Sequence, residues 1–122
     1  MRPQTSFFKS FYYAFEGIKT AFRDEPNFKI HSGIAILTLL FAMFLGFSAT
    51  EWLLLLFTIS FVLVVELINT SLEDTLNLIN PEIHPLAKKA KDVMAAGVLV
   101  SAITSVAVGV ALFLPKLISL LK

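Results

Sequence analysis

The chain has 122 residues, of which 57% are apolar, and its formal net charge is +1. A soluble domain of this length cannot bury so much apolar surface within itself, because small domains keep a large share of their surface exposed. The charge is too small to indicate a nucleic-acid partner, and the absence of cysteine excludes disulfides and thiolate metal sites. The composition therefore predicts a single integral membrane domain.

Residues 1–29 predict an amphipathic surface helix followed by a linker. Apolar side chains recur at helical spacing between residues 6 and 23, while the charged residues fall elsewhere. These apolar residues are Phe7, Phe8, Phe11, Tyr12, Phe15, Ile18 and Phe22. We expect this helix to lie in the membrane interface and not to be a cleavable signal, since the segment has no continuous apolar core. The Asp24-Glu25-Pro26-Asn27 sequence should end it.

Three apolar stretches follow, and a membrane span needs roughly 20 apolar residues. Residues 30–50 contain no Asp, Glu, Lys or Arg and predict the first span. Residues 51–79 predict a second span with a cytoplasmic extension, provided that the helix continues past Glu66. Residues 80–92 contain two prolines and predict a cytoplasmic loop, after which Asp92 is a natural N-cap for a third span over residues 93–115.

The placement of Lys and Arg predicts the orientation in the membrane. Five lie in residues 1–29 and three in residues 80–92, whereas the short connection between the first two spans has none. Positive loops face the cytoplasm. We therefore expect the N-terminus and the second loop to be cytoplasmic, on the side where ATP is available.

The second span carries the most informative pattern, a set of polar residues at helical spacing. Its members share one face of a helix and are Glu66, Asn69, Thr70, Glu73 and Asn77. Ionisable groups at membrane depth are costly and usually functional. One carboxylate could bind a hard cation such as Mg²⁺, and the other could accept a proton from a hydroxyl. Alternatively, Glu73 is simply solvated beyond the membrane, or Glu66 is a polar contact between helices.

Other polar residues suggest weaker assignments. Glu25 could add a carboxylate to a cation site, and Lys91 could neutralise phosphate charge. We interpret His31 as a polar anchor near the interface. A stripe of small residues on the third span indicates close helix packing, and it comprises Gly97, Ser101, Ser105 and Gly109. The common nucleotide-binding motifs are absent from the sequence, so phosphoryl transfer would depend on positioning, metal ions and cationic groups.

The sequence E-L-I-N-T-S-L-E at residues 66–73 is followed by H-P-L-A-K-K-A-K-D at residues 84–92. This combination resembles the signature of the prokaryotic diacylglycerol kinase family, which includes undecaprenol kinases, and the resemblance covers nearly the whole chain. It implies an all-α membrane fold of one amphipathic helix and three transmembrane helices, assembled as a homotrimer with active sites between protomers. It also implies transfer of the γ-phosphate of Mg-ATP to a lipid hydroxyl at the cytoplasmic face of the bacterial plasma membrane.

The resemblance implies a role for individual residues. Glu66 would be the catalytic base, and Glu25 and Glu73 would hold Mg²⁺ together with the phosphates. The residues implied to contact ATP are Tyr13, Gly17, Asn69, Glu82, Ile83, His84, Lys91 and Asp92. The chain departs from the family pattern at Ser6, where some members have a nucleotide-contacting arginine, and at Asn77, where some have an acid.

The resemblance also bears on the substrate. The Phe28–His31 and His84–Ala87 segments are similar to the undecaprenol kinase branch, whereas the diacylglycerol branch tends to carry an acid at the position of His31. We expect undecaprenol to be phosphorylated to undecaprenyl phosphate, with diacylglycerol and phosphatidic acid as the alternative substrate and product. A small proton-coupled transporter would explain Glu66 but not the other cytoplasmic charged residues. A non-enzymatic assembly subunit would leave the carboxylates without a role.

Overall fold

The computed structural model describes residues 6–79 and 84–122, and these residues form helices only. Helix α1 spans Phe7–Asp24, α2 spans Pro26–Leu45, α3 spans Ala49–Ile79 and α4 spans Pro85–Leu120. By length and composition, α2, α3 and α4 are each able to cross a membrane. The predicted fold class, an N-terminal helix followed by three transmembrane helices, is confirmed.

Helix α1 is amphipathic and contributes little to the interior of the protomer. Ser6 caps it, because the Ser6 hydroxyl accepts a hydrogen bond from the backbone N–H of Lys9 at 3.4 Å. Ala21 is the buried residue of this helix, whereas the seven aromatic and aliphatic side chains predicted to form its apolar face are all exposed. Such a face suits a position in the membrane interface.

The junction between α1 and α2 is a single residue. Glu25 has extended backbone (φ −109°, ψ 107°), and its N–H donates to the carbonyl of Ala21 at 2.9 Å. Pro26 then begins α2, a position where its missing N–H costs nothing. The predicted helix break therefore lies at Glu25, and the first membrane helix begins four residues earlier than the apolar stretch alone suggested.

The connection between α2 and α3 is also short. Gly46 ends α2 with φ +69°, a left-handed conformation that favours glycine. Ser48 and Glu51 then form a reciprocal capping pair: Ser48 Oγ accepts from the N–H of Glu51 at 3.2 Å, and Glu51 Oε1 accepts from the N–H of Ser48 at 3.3 Å. We call this part of the bundle the turn end. The first membrane helix thus stops at Leu45, short of the predicted residue 50.

Helix α4 begins earlier than predicted. Residues 85–92 are its first two turns and not part of a loop. His84 caps the helix, since its Nδ1 accepts from the N–H of Leu86 at 3.1 Å. Asp92, expected to be the cap, instead lies inside the helix, where it pairs with Lys88 four residues earlier (Nζ to Oδ2, 2.6 Å). The charged segment favours a helix because its opposite charges are spaced one turn apart.

The apolar core lies near the turn end. Ala42, Phe47 and Leu55 form a buried cluster. Phe113 of α4 stacks against the ring of Phe41 with centroids 5.8 Å apart, and it lies 4.9 Å from the ring of Phe47. These contacts fasten the three membrane helices to one another at the end of the bundle opposite α1.

The core contacts predict that Leu55→Ala destabilises the protein by at least about 2 kcal/mol, the lower range for truncating a packed leucine. Leu55 is 4% exposed, while Leu53 on the same helix is 69% exposed and provides the matched control Leu53→Ala. The measurement is unfolding by increasing SDS in mixed micelles. Equal losses in the two variants would contradict the packing of Leu55 described above.

Candidate active site

Glu66 lies on α3 and is almost completely buried, with 2% of its surface exposed. Within residues 6–79 and 84–122, no other ionisable side chain is buried. Its Oε1 has no hydrogen-bond partner among the described residues, and the nearest cationic candidate is His31 Nε2 at 3.6 Å. A carboxyl group kept from lipid and left with an unused oxygen can accept a proton from an incoming hydroxyl.

The packing of α2 against α3 explains the burial of Glu66. The buried residues of α2 are Phe28, Ala35 and Ala42, spaced seven apart. On α3, Leu55 and Val62 are also seven apart, and Glu66 follows Val62 by four residues, on the same face. Small alanine side chains let the two helices approach closely. The same stripe of α3 that packs against α2 therefore carries the carboxyl group inward.

The polar residues that follow Glu66 lie farther along α3, in the part of the helix that sequence analysis predicts to be cytoplasmic. Asn69 Oδ1 is buried and has no hydrogen-bond partner among the described residues. Glu73 is partly buried, and Glu73 and Glu25 both lie within electrostatic range of the Glu66 carboxyl group. The three acids singled out by the sequence are therefore neighbours in one protomer.

Lys91 joins this group from α4. Its Nζ donates to Asn77 Oδ1 at 2.6 Å, across 14 residues of sequence. This contact fixes the start of α4 against the end of α3. It also places a positive charge beside Asn77 on the polar face of α3.

A cleft of about 770 Å³ opens between α1 and α3. Small-molecule sites typically have volumes of roughly 300–1,000 Å³. Gly17 and Glu25 line this cleft together with residues that sequence analysis did not assign to a ligand, namely Thr70, Ser71, Asp74 and Thr75. A Cβ atom added at Gly17 would meet nothing within 4 Å, so the cleft is open at this point.

Asp24 also lines the cleft, but its carboxylate is already paired. Arg23 Nε donates to Asp24 Oδ1 at 2.8 Å, and Arg23 Nη2 donates to Oδ2 at 3.2 Å. The hydrogen bond from Arg23 lowers the pKa of Asp24, so this acid stays charged and partnered. Of the neighbouring acids Asp24 and Glu25, Glu25 is therefore the better placed to bind a ligand in the cleft.

Other residues implied to contact ATP do not line this cleft. Tyr13 packs edge-on against Tyr12 with ring centroids 5.6 Å apart. His84 caps α4, and Asp92 pairs with Lys88. Glu82 and Ile83 lie outside the described residues. Of the described residues assigned to ATP or Mg²⁺, Gly17 and Glu25 line the cleft. The others lie outside it, namely Tyr13, Asn69, Glu73, His84, Lys91 and Asp92.

The donor set near Glu66 is compatible with Mg²⁺. Across the described part of the chain, no three His, Asp or Glu side chains form a cage for a metal ion. Mg²⁺ is usually held by only one or two carboxylates, together with water and substrate phosphates. Glu25 and Glu73 supply two carboxylates of this kind, so the residues present fit such an ion when it arrives with a nucleotide.

Comparison with known proteins identifies the relationship that this geometry suggests. A family model described as prokaryotic diacylglycerol kinase matches residues 12–113. The chain belongs to the prokaryotic diacylglycerol kinase family. An undecaprenol kinase of Bacillus subtilis is 41% identical over 111 residues, which cover 91% of this chain and 90% of that protein. The predicted family is therefore confirmed.

The chain is also similar to diacylglycerol kinases. One from Synechocystis sp. is 42% identical over 115 residues, covering 92% of this chain and 65% of that protein. One from Escherichia coli (strain K12) is 29% identical over 102 residues, covering 84% of each chain. The prediction that the chain is a lipid kinase, an enzyme with ATP as phosphoryl donor, is confirmed by these relationships.

Sequence analysis missed the relation between His31 and Glu66 in this kinase. We interpreted His31 as an anchor at the interface, but the structure directs its imidazole toward Glu66, where it also lines a cavity between α2, α3 and α4. The two residues are 35 positions apart and on different helices. Periodicity within one helix cannot show such a contact, because it depends on how α2 and α3 pack.

Because Gly17 has open space beside it, we expect Gly17→Ala to affect nucleotide binding without destabilising the protein. Gly17→Ala should leave the unfolding transition unchanged or raise stability by up to about 1 kcal/mol, because alanine favours helix over glycine. If a nucleotide occupies the cleft, the added methyl group should raise the KM for ATP by about tenfold, equivalent to about 1.4 kcal/mol. Steady-state kinetics and SDS unfolding measure the two effects.

Gly33→Ala is the matched control for this substitution. A Cβ atom at Gly33 also meets nothing within 4 Å, but Gly33 does not line the cleft. We expect an unchanged KM for ATP in this variant. An unchanged KM in Gly17→Ala as well would show that the nucleotide does not approach α1 at this point.

Proposed function

We propose that the protein phosphorylates undecaprenol to undecaprenyl phosphate with Mg-ATP, at the cytoplasmic face of a bacterial plasma membrane. The observation that carries the proposal is the buried carboxyl group of Glu66, which has an unused oxygen and lies on a membrane-spanning helix of a kinase-family chain. A base at this depth can meet a lipid hydroxyl without the lipid leaving the membrane. The undecaprenol kinase of Bacillus subtilis, which matches nine-tenths of both chains, favours undecaprenol as the substrate.

In this proposal Glu66 is the general base. Its carboxylate accepts the proton of the lipid hydroxyl while the alcohol oxygen attacks the γ-phosphorus of ATP, and ADP leaves with the electron pair of the broken P–O bond. Because Glu66 is buried, bulk water has poor access to it. Exclusion of water favours transfer to the lipid over hydrolysis of ATP, the competing reaction.

Glu25 and Glu73 would hold Mg²⁺ together with the ATP phosphates, and the ion would neutralise phosphate charge when bound. Lys91 would contribute a further positive charge, with Asn77 holding its ammonium group beside the polar face of α3. Asn69 would contact the nucleotide through its buried amide, whose oxygen has no hydrogen-bond partner in the described structure. Gly17 would let the nucleotide approach the backbone of α1.

A homotrimer accounts for the remaining residues. Tyr13, His84 and Asp92 do not line the cleft of their own protomer, so they would contact ATP at a site shared with a neighbouring protomer. The small residues Gly97, which is exposed, and Gly109, which is partly buried, have open space around them and would allow close contact between helices. The concentration of Lys and Arg near α1 and the start of α4 supports a cytoplasmic site.

Diacylglycerol is the alternative acceptor, favoured by the relative of Synechocystis sp. at 42% identity. Its free hydroxyl is a primary alcohol like that of undecaprenol, so the same base and nucleotide residues would serve. The preference of the enzyme for one of the two lipids therefore depends on the residues that contact the lipid chain and not on the reacting residues.

The first prediction of this proposal concerns the base. In mixed micelles with γ-labelled ATP and Mg²⁺, the wild-type protein should label undecaprenol faster than a short-chain diacylglycerol. Glu66→Gln should lower kcat by about 10²- to 10⁴-fold, the usual contribution of a general base. Glu51→Gln, at the far end of α3, is the control and should retain wild-type turnover. Absence of label in both lipids from folded wild-type protein would refute the kinase proposal.

If neither lipid is labelled, cation flux through liposomes without ATP would indicate the transporter instead. That function would use the buried Glu66 as a proton carrier and would assign no role to Glu25, Glu73 or Lys91.

The second prediction separates the two acids of α3. Glu73→Gln should raise the KM for Mg-ATP by tenfold or more, since it removes a metal-binding carboxylate, whereas Glu66→Gln should lower kcat and leave nucleotide affinity nearly unchanged. Equilibrium binding of a fluorescent ATP analogue with Mg²⁺ provides an independent measurement. Equal losses of nucleotide affinity in both variants would contradict this division of roles.

A further inference from the structure

His31 is the polar side chain of α2 that faces the catalytic carboxyl group, and the proposed mechanism does not yet use it. Its Nε2 lies 3.6 Å from Glu66 Oε1, and its side chain is 24% exposed. The imidazole also lines a cavity of about 130 Å³ between α2, α3 and α4. It is therefore held between the buried acid and an intramembrane space.

The other polar groups of this cavity are already engaged. Thr38 Oγ1 donates to the carbonyl of Ala35 at 2.9 Å, Thr58 Oγ1 donates to that of Leu54 at 2.7 Å, and Ser105 Oγ donates to that of Ala102 at 2.7 Å. Each hydroxyl has a single proton to donate. Among the polar residues that line the cavity, the His31 imidazole is thus the donor left for Glu66.

We propose that His31 is a positioning residue that orients Glu66 for proton abstraction. Its Nε2–H donates to Glu66 Oε1, which holds the plane of the carboxylate, and a remaining lone pair of the carboxylate accepts the proton of the lipid hydroxyl. The inference rests on the proposed function and adds to it a residue that touches neither substrate. The separation of 3.6 Å exceeds the roughly 3.0 Å of an N–H···O hydrogen bond, so the proposed bond requires the two side chains to move closer together.

The need for such a partner follows from the position of Glu66. A carboxylate with an unpaired buried oxygen is costly at membrane depth, and its side chain can rotate away from a productive direction. Loss of an orienting hydrogen bond or a displacement of about 1 Å can reduce turnover by about 10- to 100-fold. His31 supplies the hydrogen bond from the helix that buries Glu66, so packing and orientation come from the same contact.

The kinetic test compares His31→Leu with His31→Gln. Leucine removes the donor, and we expect kcat to fall about 10- to 100-fold with the KM for ATP unchanged. Glutamine keeps an N–H donor at similar reach and should restore most of the kcat that is lost in His31→Leu. The Glu66→Gln background completes the cycle: if His31 acts through Glu66, adding His31→Leu to that variant should cost no further activity.

A spectroscopic test is independent of turnover. The chain has two histidines, so a ¹⁵N-histidine spectrum contains two imidazoles, and the signals lost in His31→Gln assign His31. Glu66→Gln should shift the Nε2 resonance of His31 and leave that of His84 in place, because His84 caps α4 far along the chain from Glu66. This measurement needs only folded protein.

The outcomes distinguish this proposal from the proposed function. An inactive wild-type protein whose His31 resonance still responds to Glu66→Gln would refute the kinase assignment and support the contact. An active wild-type enzyme in which His31→Leu keeps full kcat, or in which the two substitutions lower kcat additively, would overturn the positioning role. An unmoved His31 resonance in Glu66→Gln would overturn the contact itself.

Discussion

The structure depends on keeping one carboxyl group away from lipid. A charged or polar group in the hydrocarbon layer is costly, and in the described chain Glu66 is the buried acid. Its burial requires α2 to lie close against α3, which the small residues Ala35 and Ala42 permit. The turn at Gly46 brings α2 and α3 together directly. The single-residue junction at Glu25 keeps α1 near the part of α3 that follows Glu66.

The rest of the site follows from that packing. Once α3 is fixed with Glu66 facing α2, the residues three, seven and eleven positions later continue along its polar side. Glu73 and Glu25 each come within electrostatic range of Glu66, and Asn77 meets Lys91 near the start of α4. In the proposed function, the base and the metal-binding acid can be divided along one helix because Glu66 is buried and Glu73 is only partly buried.

The sequence predicted much of this arrangement, because membrane helices have long apolar stretches and because residues on one face of a helix recur every three or four positions. The three spans and the polar face from Glu66 to Asn77 could be recognised within single segments. Helix limits were less accurate: the charges of residues 87–92 suggested a loop, although Lys88 and Asp92 pair one helical turn apart. The contact of His31 with Glu66 could not be foreseen, since it depends on the relative rotation of α2 and α3.

The turn end has a further consequence for which molecules can reach Glu66. Lys116 pairs with Glu51 at 3.3 Å and lies over the ring of Phe47. These contacts hold the start of α3 against the last turns of α4. From Glu51 to Glu66 a helix rises about 22 Å, less than the roughly 30 Å thickness of the hydrocarbon layer. With Glu51 at one surface of the membrane, Glu66 would lie below the headgroup level of the other surface, within reach of an alcohol carried directly on a lipid chain. In the proposed function, an ordinary phospholipid would have to bring its charged headgroup down into the apolar layer to reach Glu66, so the depth of this residue would disfavour phosphorylation of the bulk lipids of the membrane.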